Sequence, residues 1–119
     1  MKDITYEVEQ EEVDSLIERV KSYIDDREFV EAYAEVANGM RLYPNLAVPH
    51  NLMGLIMEYT GNKMGAMKHY RAAFALDPSY TPARYNMERC GNLSPNYNFA
   101  FCERDCASVK YAPRKKTWR

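Results

Sequence analysis

Residues 47–80 read AVPHNLMGLIMEYTGNKMGAMKHYRAAFALDPSY, and this stretch decides the fold. It holds two apolar stripes, each with the spacing of one helix face, separated by a Gly-Asn pair at 61–62. Pro78 follows the second stripe and ends it, because proline cannot continue a helix. Pro44 stands 34 residues upstream of Pro78. The stretch is therefore predicted to be one helix–turn–helix unit with a period of 34 residues, preceded by a second unit at 13–46.

Outside this stretch the apolar periodicity stays helical. One stripe consists of Val13, Leu16, Ile17, Val20 and Ile24, and the next of Phe29, Ala32, Tyr33, Val36 and Met40. A short further helix is predicted before Gly91. Asn45 and Asn62 are candidate helix caps, and Gly61 suits a left-handed exit. We predict an all-α chain with helices near 10–25, 28–42, 46–60, 63–76 and 81–90.

The second unit resembles a tetratricopeptide repeat (TPR). That family places an aromatic residue, Leu-Gly and Tyr in its first helix, Ala-x3-aromatic in its second, and a closing proline. The unit reads H-x2-M-G-x2-M over 50–57 and A-x3-Y over 66–70, with the proline in place. The unit at 13–46 matches more weakly, since Arg19 stands where a buried aliphatic residue is expected.

The resemblance implies a TPR-like α-solenoid of antiparallel helix pairs. Its expected parts are an acidic arm at 1–9, repeats at 13–46 and 47–80, and a capping helix at 81–90, forming a domain over 1–91 with an aromatic and basic tail over 92–119. Gly54 is expected at a close crossing with Ala66. For the tail we favour a short helix near 98–109, because an isolated strand is unstable. The aromatic side of this helix would cover the open end of the repeats.

Charge is distributed unevenly along the 119 residues. Residues 1–35 contain twelve acids and four bases, whereas 107–119 contain five bases and no acid. We interpret both ends as solvated. Alternatively, their opposite charges could draw the two ends together, or each end could bind a different partner. No apolar run reaches the ~20 residues of a membrane span, and no signal sequence precedes the helices, so we expect a cytoplasmic protein without membrane contact.

No catalytic motif is present: the sequence lacks a glycine-rich phosphate loop, a nucleophile elbow and a zinc-protease motif. We therefore expect no enzyme and no cofactor. His50 is interpreted as a core residue and His69 as a surface neighbour of Tyr70. The three cysteines, Cys90, Cys102 and Cys106, are interpreted as reduced thiols rather than as a zinc site.

The predicted function is protein–protein interaction, as an adaptor, scaffold or assembly chaperone. In tetratricopeptide proteins the first helix of each pair lines a concave groove that binds a partner's peptide or helix. Carried onto this sequence, the groove comprises Lys21, Asn51, Leu55, Tyr59, Tyr85 and Arg89. Its apolar positions could instead be covered by the tail or by a second copy, giving weak self-association. The alternative function is a metal- or nucleic-acid-binding regulator that uses the basic tail with its cysteines, although nucleic acid is not expected at a pI of about 6.1.

Overall fold

The computed structural model describes the backbone of residues 4–92 and 96–108, and the side chains of 9–92 and 96–106. Within these residues every regular element is a helix, and no strand is present. The helices are α1 (Ile4–Asp25), α2 (Phe29–Leu42), α3 (Ala47–Tyr59), α4 (Lys63–Leu76), α5 (Thr81–Cys90) and α6 (Glu103–Ser108). The all-α prediction is confirmed. The basic stretch from Lys110 to Arg119 and the first three residues of the predicted acidic arm lie outside the described residues.

Helix α1 is longer than predicted. It begins at Ile4, so most of the expected acidic arm at 1–9 is helical rather than an extension outside the fold. The segment from Ile4 to Gln10 lacks glycine and proline and is rich in glutamate, which has good helix propensity. Acidic residues are also favoured at a helix N-terminus by the helix dipole. No described helix has both the length and the apolar character required to cross a membrane.

Consecutive helices pack against each other along the whole order from α1 to α6. Helix α3 contacts α1 and α5 as well as its two chain neighbours, so α1, α3 and α5 lie side by side. This central position explains why α3 is buried on several faces, including the polar Asn51. The apolar stripe of α1 faces the same core, where Val20 is fully buried and Ile17 is 7% exposed.

A close crossing joins α3 to α4 at Gly54. A Cβ atom on Gly54 would lie 2.6 Å from Cδ1 of Tyr70, a separation too short for two carbon atoms. The predicted tight approach at Gly54 is therefore present, but the side chain that fills it is the ring of Tyr70 rather than Ala66. Both Tyr70 and Ala66 are fully buried.

The turn between α3 and α4 follows the sequence prediction. Gly61 has a φ of 90°, in the left-handed region that favours glycine. Oδ1 of Asn62 then accepts a 2.8 Å hydrogen bond from the backbone N–H of Gly65 and caps α4. The predicted cap of α3 is wrong: Leu46, not Asn45, occupies the N-cap position and makes no side-chain bond there.

The predicted helix near 98–109 is present only in its second half. Residues 96–102 are not helical, and α6 begins only at Glu103. The backbone of Ala100 bonds to side chains of α3 and α5 instead of to a helical partner. The backbone N–H of Phe101 donates to Oδ2 of Asp105, 2.9 Å away, which fixes the start of α6. We refer to residues 96–102 as the C-terminal strap.

Candidate binding groove

The C-terminal strap lies on the face formed by α1, α3 and α5, which we call the inner face. Five of the six predicted groove residues contact it: Lys21, Asn51, Tyr59, Tyr85 and Arg89. The sixth, Leu55, is fully buried in the core. The sequence thus identified a group of residues that meet at one surface, and in this structure the chain's own strap occupies that surface.

Two buried asparagines hold the backbone of the strap at Ala100. Asn51 and Asn86 both donate from Nδ2 to the Ala100 carbonyl, at 3.1 and 2.8 Å. Oδ1 of Asn86 accepts from the Ala100 N–H at 3.1 Å. All three residues are fully buried. Because buried amides are costly unless they are hydrogen-bonded, this arrangement strongly favours a peptide backbone at this point.

Arg89 provides a second anchor. Its Nη1 donates to the backbone carbonyl of Asn96 at 2.9 Å and to Oε2 of Glu58 at 3.1 Å, while Nη2 donates to Oε1 of Glu58. Tyr70 also donates to Oε1 of Glu58, at 2.6 Å. Burial alone would lower the pKa of Arg89, but the hydrogen bonds and charge of Glu58 outweigh it and raise that pKa. The guanidinium is therefore a permanent cation with a fixed orientation.

Aromatic side chains complete the contact between the strap and the inner face. The ring of Phe99 lies 4.6 Å from the ring of Tyr59, measured between centroids, and 4.5 Å from the Arg89 guanidinium carbon. Phe101 is 6% exposed, with Nζ of Lys21 5.6 Å from its ring centroid. These distances fall within the range of aromatic stacking and cation–π attraction. The strap's aromatic residues therefore cover the inner face rather than the open end of the last helix pair.

The hydroxyl of Tyr85 donates to the Asn98 carbonyl at 2.8 Å, which adds a further backbone contact. Burial raises the pKa of Tyr85, so this donor stays protonated at neutral pH. Tyr85 is only 7% exposed, whereas Tyr59 keeps 37% of its surface accessible. Of the two predicted tyrosine anchors, Tyr59 is thus the one that solvent still reaches.

The histidines form a pair that the sequence did not reveal. The Nδ1 atoms of His50 and His69 lie 3.1 Å apart and their rings stack, although we expected His50 in the core and His69 beside Tyr70. Burial lowers the pKa of both rings, and the proximity of His50 lowers that of His69 further. The antiparallel packing of α3 against α4 brings the two rings together. The predicted pairing of these two helices was the only feature of the sequence that could have indicated this contact.

Cys90 and Cys106 are buried, Cys102 is half-buried, and none forms a disulfide. Burial raises the pKa of the Cys90 and Cys106 thiols to about 11, so both are protonated at neutral pH. No cluster of three or more His, Cys, Asp or Glu side chains that could bind a metal occurs among the side chains the structure describes.

Sequence reasoning missed Glu58, Asn86 and Ala100 as parts of this surface. The resemblance to a tetratricopeptide repeat also places Glu58 among the groove positions, but the predicted groove did not include it. Asn86 and Ala100 belong to this surface only because the strap packs back against α5. The apolar periodicity of the sequence cannot predict such a tertiary contact. The inner face therefore combines a polar site for backbone atoms with an aromatic site for side chains. In comparisons with protein-family models, curated proteins and solved structures, this chain gives no match.

Proposed function

We propose that the chain is a small TPR-type helical module whose inner face binds a segment of a partner protein. The role is one of binding rather than catalysis. The 34-residue period of the sequence and the adjacency of α1, α3 and α5 are consistent with stacked helix pairs. In such a stack the first helix of each pair contributes to one shared surface.

One observation carries the proposal: buried side chains of the inner face bond to both backbone groups of Ala100. Here Asn51, Asn86 and Arg89 direct hydrogen bonds at the backbone of a non-helical segment. Main-chain hydrogen bonds combined with pockets for selected side chains are the usual basis of peptide recognition.

Site-specific photocrosslinking tests the proposal. A benzoylphenylalanine in place of Tyr59, which borders the strap and is accessible, should capture a discrete partner from lysate. The same residue in place of Tyr33 is the matched control, because Tyr33 is an exposed tyrosine on α2, a helix that is not part of the inner face. Capture through position 33 alone, or none through position 59, would contradict the proposed surface.

A further inference from the structure

The strap is held mainly through its backbone. The carbonyls of Asn96, Asn98 and Ala100 accept hydrogen bonds from the inner face, and the N–H of Ala100 donates one. The side chains of residues 96–98 are exposed. Any chain that adopts the same non-helical backbone conformation can make these four hydrogen bonds. The backbone contacts therefore supply affinity without restricting the sequence of the bound segment.

Restriction comes from three consecutive side chains of the strap. Phe99 packs against the ring of Tyr59 and the guanidinium of Arg89, and Phe101 is buried beneath Lys21. Ala100 between them is fully buried, with the two asparagine amides on its backbone. A large or charged side chain at the central position would have to displace buried atoms or lose its hydration. The inner face thus selects an aromatic, a small and an aromatic residue in succession.

We propose that the inner face binds a non-helical partner segment with an aromatic–small–aromatic triplet, and that the strap competes with it as an internal copy. This inference rests on the proposed function and specifies its ligand. The strap itself shows the chemistry that this surface accepts. Release does not require the helices to separate, because α6 contacts only α5 among the described helices and the strap contributes no helix to the core.

The test uses a fluorescein-labelled synthetic peptide with the sequence of residues 96–101, NYNFAF. Its binding is measured by fluorescence anisotropy with the full-length chain and with the variant Ala100→Glu, whose own strap cannot seat at a site closed to charge. The variant should bind the peptide at least tenfold more tightly than the wild type. A tenfold difference corresponds to a strap that occupies the site in about 90% of wild-type molecules.

Two controls isolate the cause. Asn92→Glu places the same charge on an exposed side chain outside the strap and should bind the peptide as weakly as the wild type. A peptide with glutamate at the alanine position, NYNFEF, should bind neither protein. If Ala100→Glu loses its helical circular dichroism, the double variant Phe99→Ala with Phe101→Ala replaces it in the experiment. This variant removes the aromatic anchors of the strap without introducing a charge.

Equal affinity of wild type and strap-released variants for NYNFAF would overturn the inference, as would equal binding of NYNFEF. A wild-type dimer that the peptide converts to monomer would assign the site to the strap of a second copy instead. The outcome is separable from the proposed function. A partner that is captured through position 59 but lacks the triplet would support the proposed function and refute this ligand. Peptide binding without any captured partner would support this ligand and contradict the proposed function.

Discussion

Arg89 of α5 and Glu58 of α3 form a two-point ion pair whose side chains are 2% and 6% exposed. The pair joins two helices of the inner face and also fixes the guanidinium against the strap. A buried ion pair is not a large net source of stability, because both groups lose their hydration. Loss of one partner is nevertheless severe, since the other charge then remains buried without compensation.

Glu58→Gln should therefore lower the free energy of unfolding by about 3–5 kcal/mol, as measured by urea denaturation. Arg19 and Glu35 provide the comparison, because that pair is 3.2 Å apart and its side chains are 52% and 30% exposed. Glu35→Gln should change the free energy by less than about 1 kcal/mol. Similar losses in the two variants would show that burial does not distinguish the pairs.

Gly54→Ala should destabilise the chain although alanine has the higher helix propensity. The propensity gain is at most ~1 kcal/mol, whereas the new methyl would meet the ring of Tyr70, and such overpacking costs about 1–3 kcal/mol. Ala75→Leu is the control, because Ala75 is exposed on α4. It should leave the melting temperature nearly unchanged. A Gly54→Ala protein that melts at the wild-type temperature would place Gly54 away from a close crossing.

The histidine pair predicts a pH dependence of stability. The pKa of both His50 and His69 is lowered in the folded state from 6.5, so the folded protein binds protons less readily than the unfolded chain. Their contribution is thus complete above about pH 6.5 and is lost as the pH falls below that value. The free energy of unfolding, measured by urea denaturation, should therefore be lower at pH 5 than at pH 8 in the wild type. This difference should be smaller in the double variant His50→Gln with His69→Gln. An unchanged difference between the two pH values would exclude the pair as its source.

The helices were predictable because their signals are local. The apolar stripe from Val13 to Ile24, the left-handed Gly61 and the cap at Asn62 each act within a few residues. The conformation of the strap was not predictable in the same way. Phe99 and Phe101 fit a strand, whereas Phe99, Cys102 and Cys106 fit a helix, and both patterns are present in one stretch.

Tertiary hydrogen bonds decided between the two patterns. Ala100 lies outside any helix, and Asn51 and Asn86, 49 and 14 residues away along the chain, bond to its backbone. The same separation explains the incomplete prediction of the site. The repeat pattern located Asn51 and Arg89 on one surface, but it could not show that a later segment would bond to them, nor that Asn86 would take part.

The strap should open before the helices do, and native-state hydrogen exchange can measure this. The amide N–H of Ala100 bonds to a side chain, whereas that of Leu52 lies within the fully buried centre of α3. Because opening the strap exposes less surface than unfolding the whole chain, the exchange of Ala100 should report a free energy below the global value and should depend less steeply on urea. A tenfold advantage of the released variants in peptide binding corresponds to an opening free energy of about 1.4 kcal/mol, which is the lower bound expected for Ala100.

Ala100→Glu should remove protection from the strap while Leu52 stays protected. If Ala100 and Leu52 exchange with the same free energy and the same urea dependence, the strap opens only when the whole chain unfolds, and no partner segment could then reach a folded inner face.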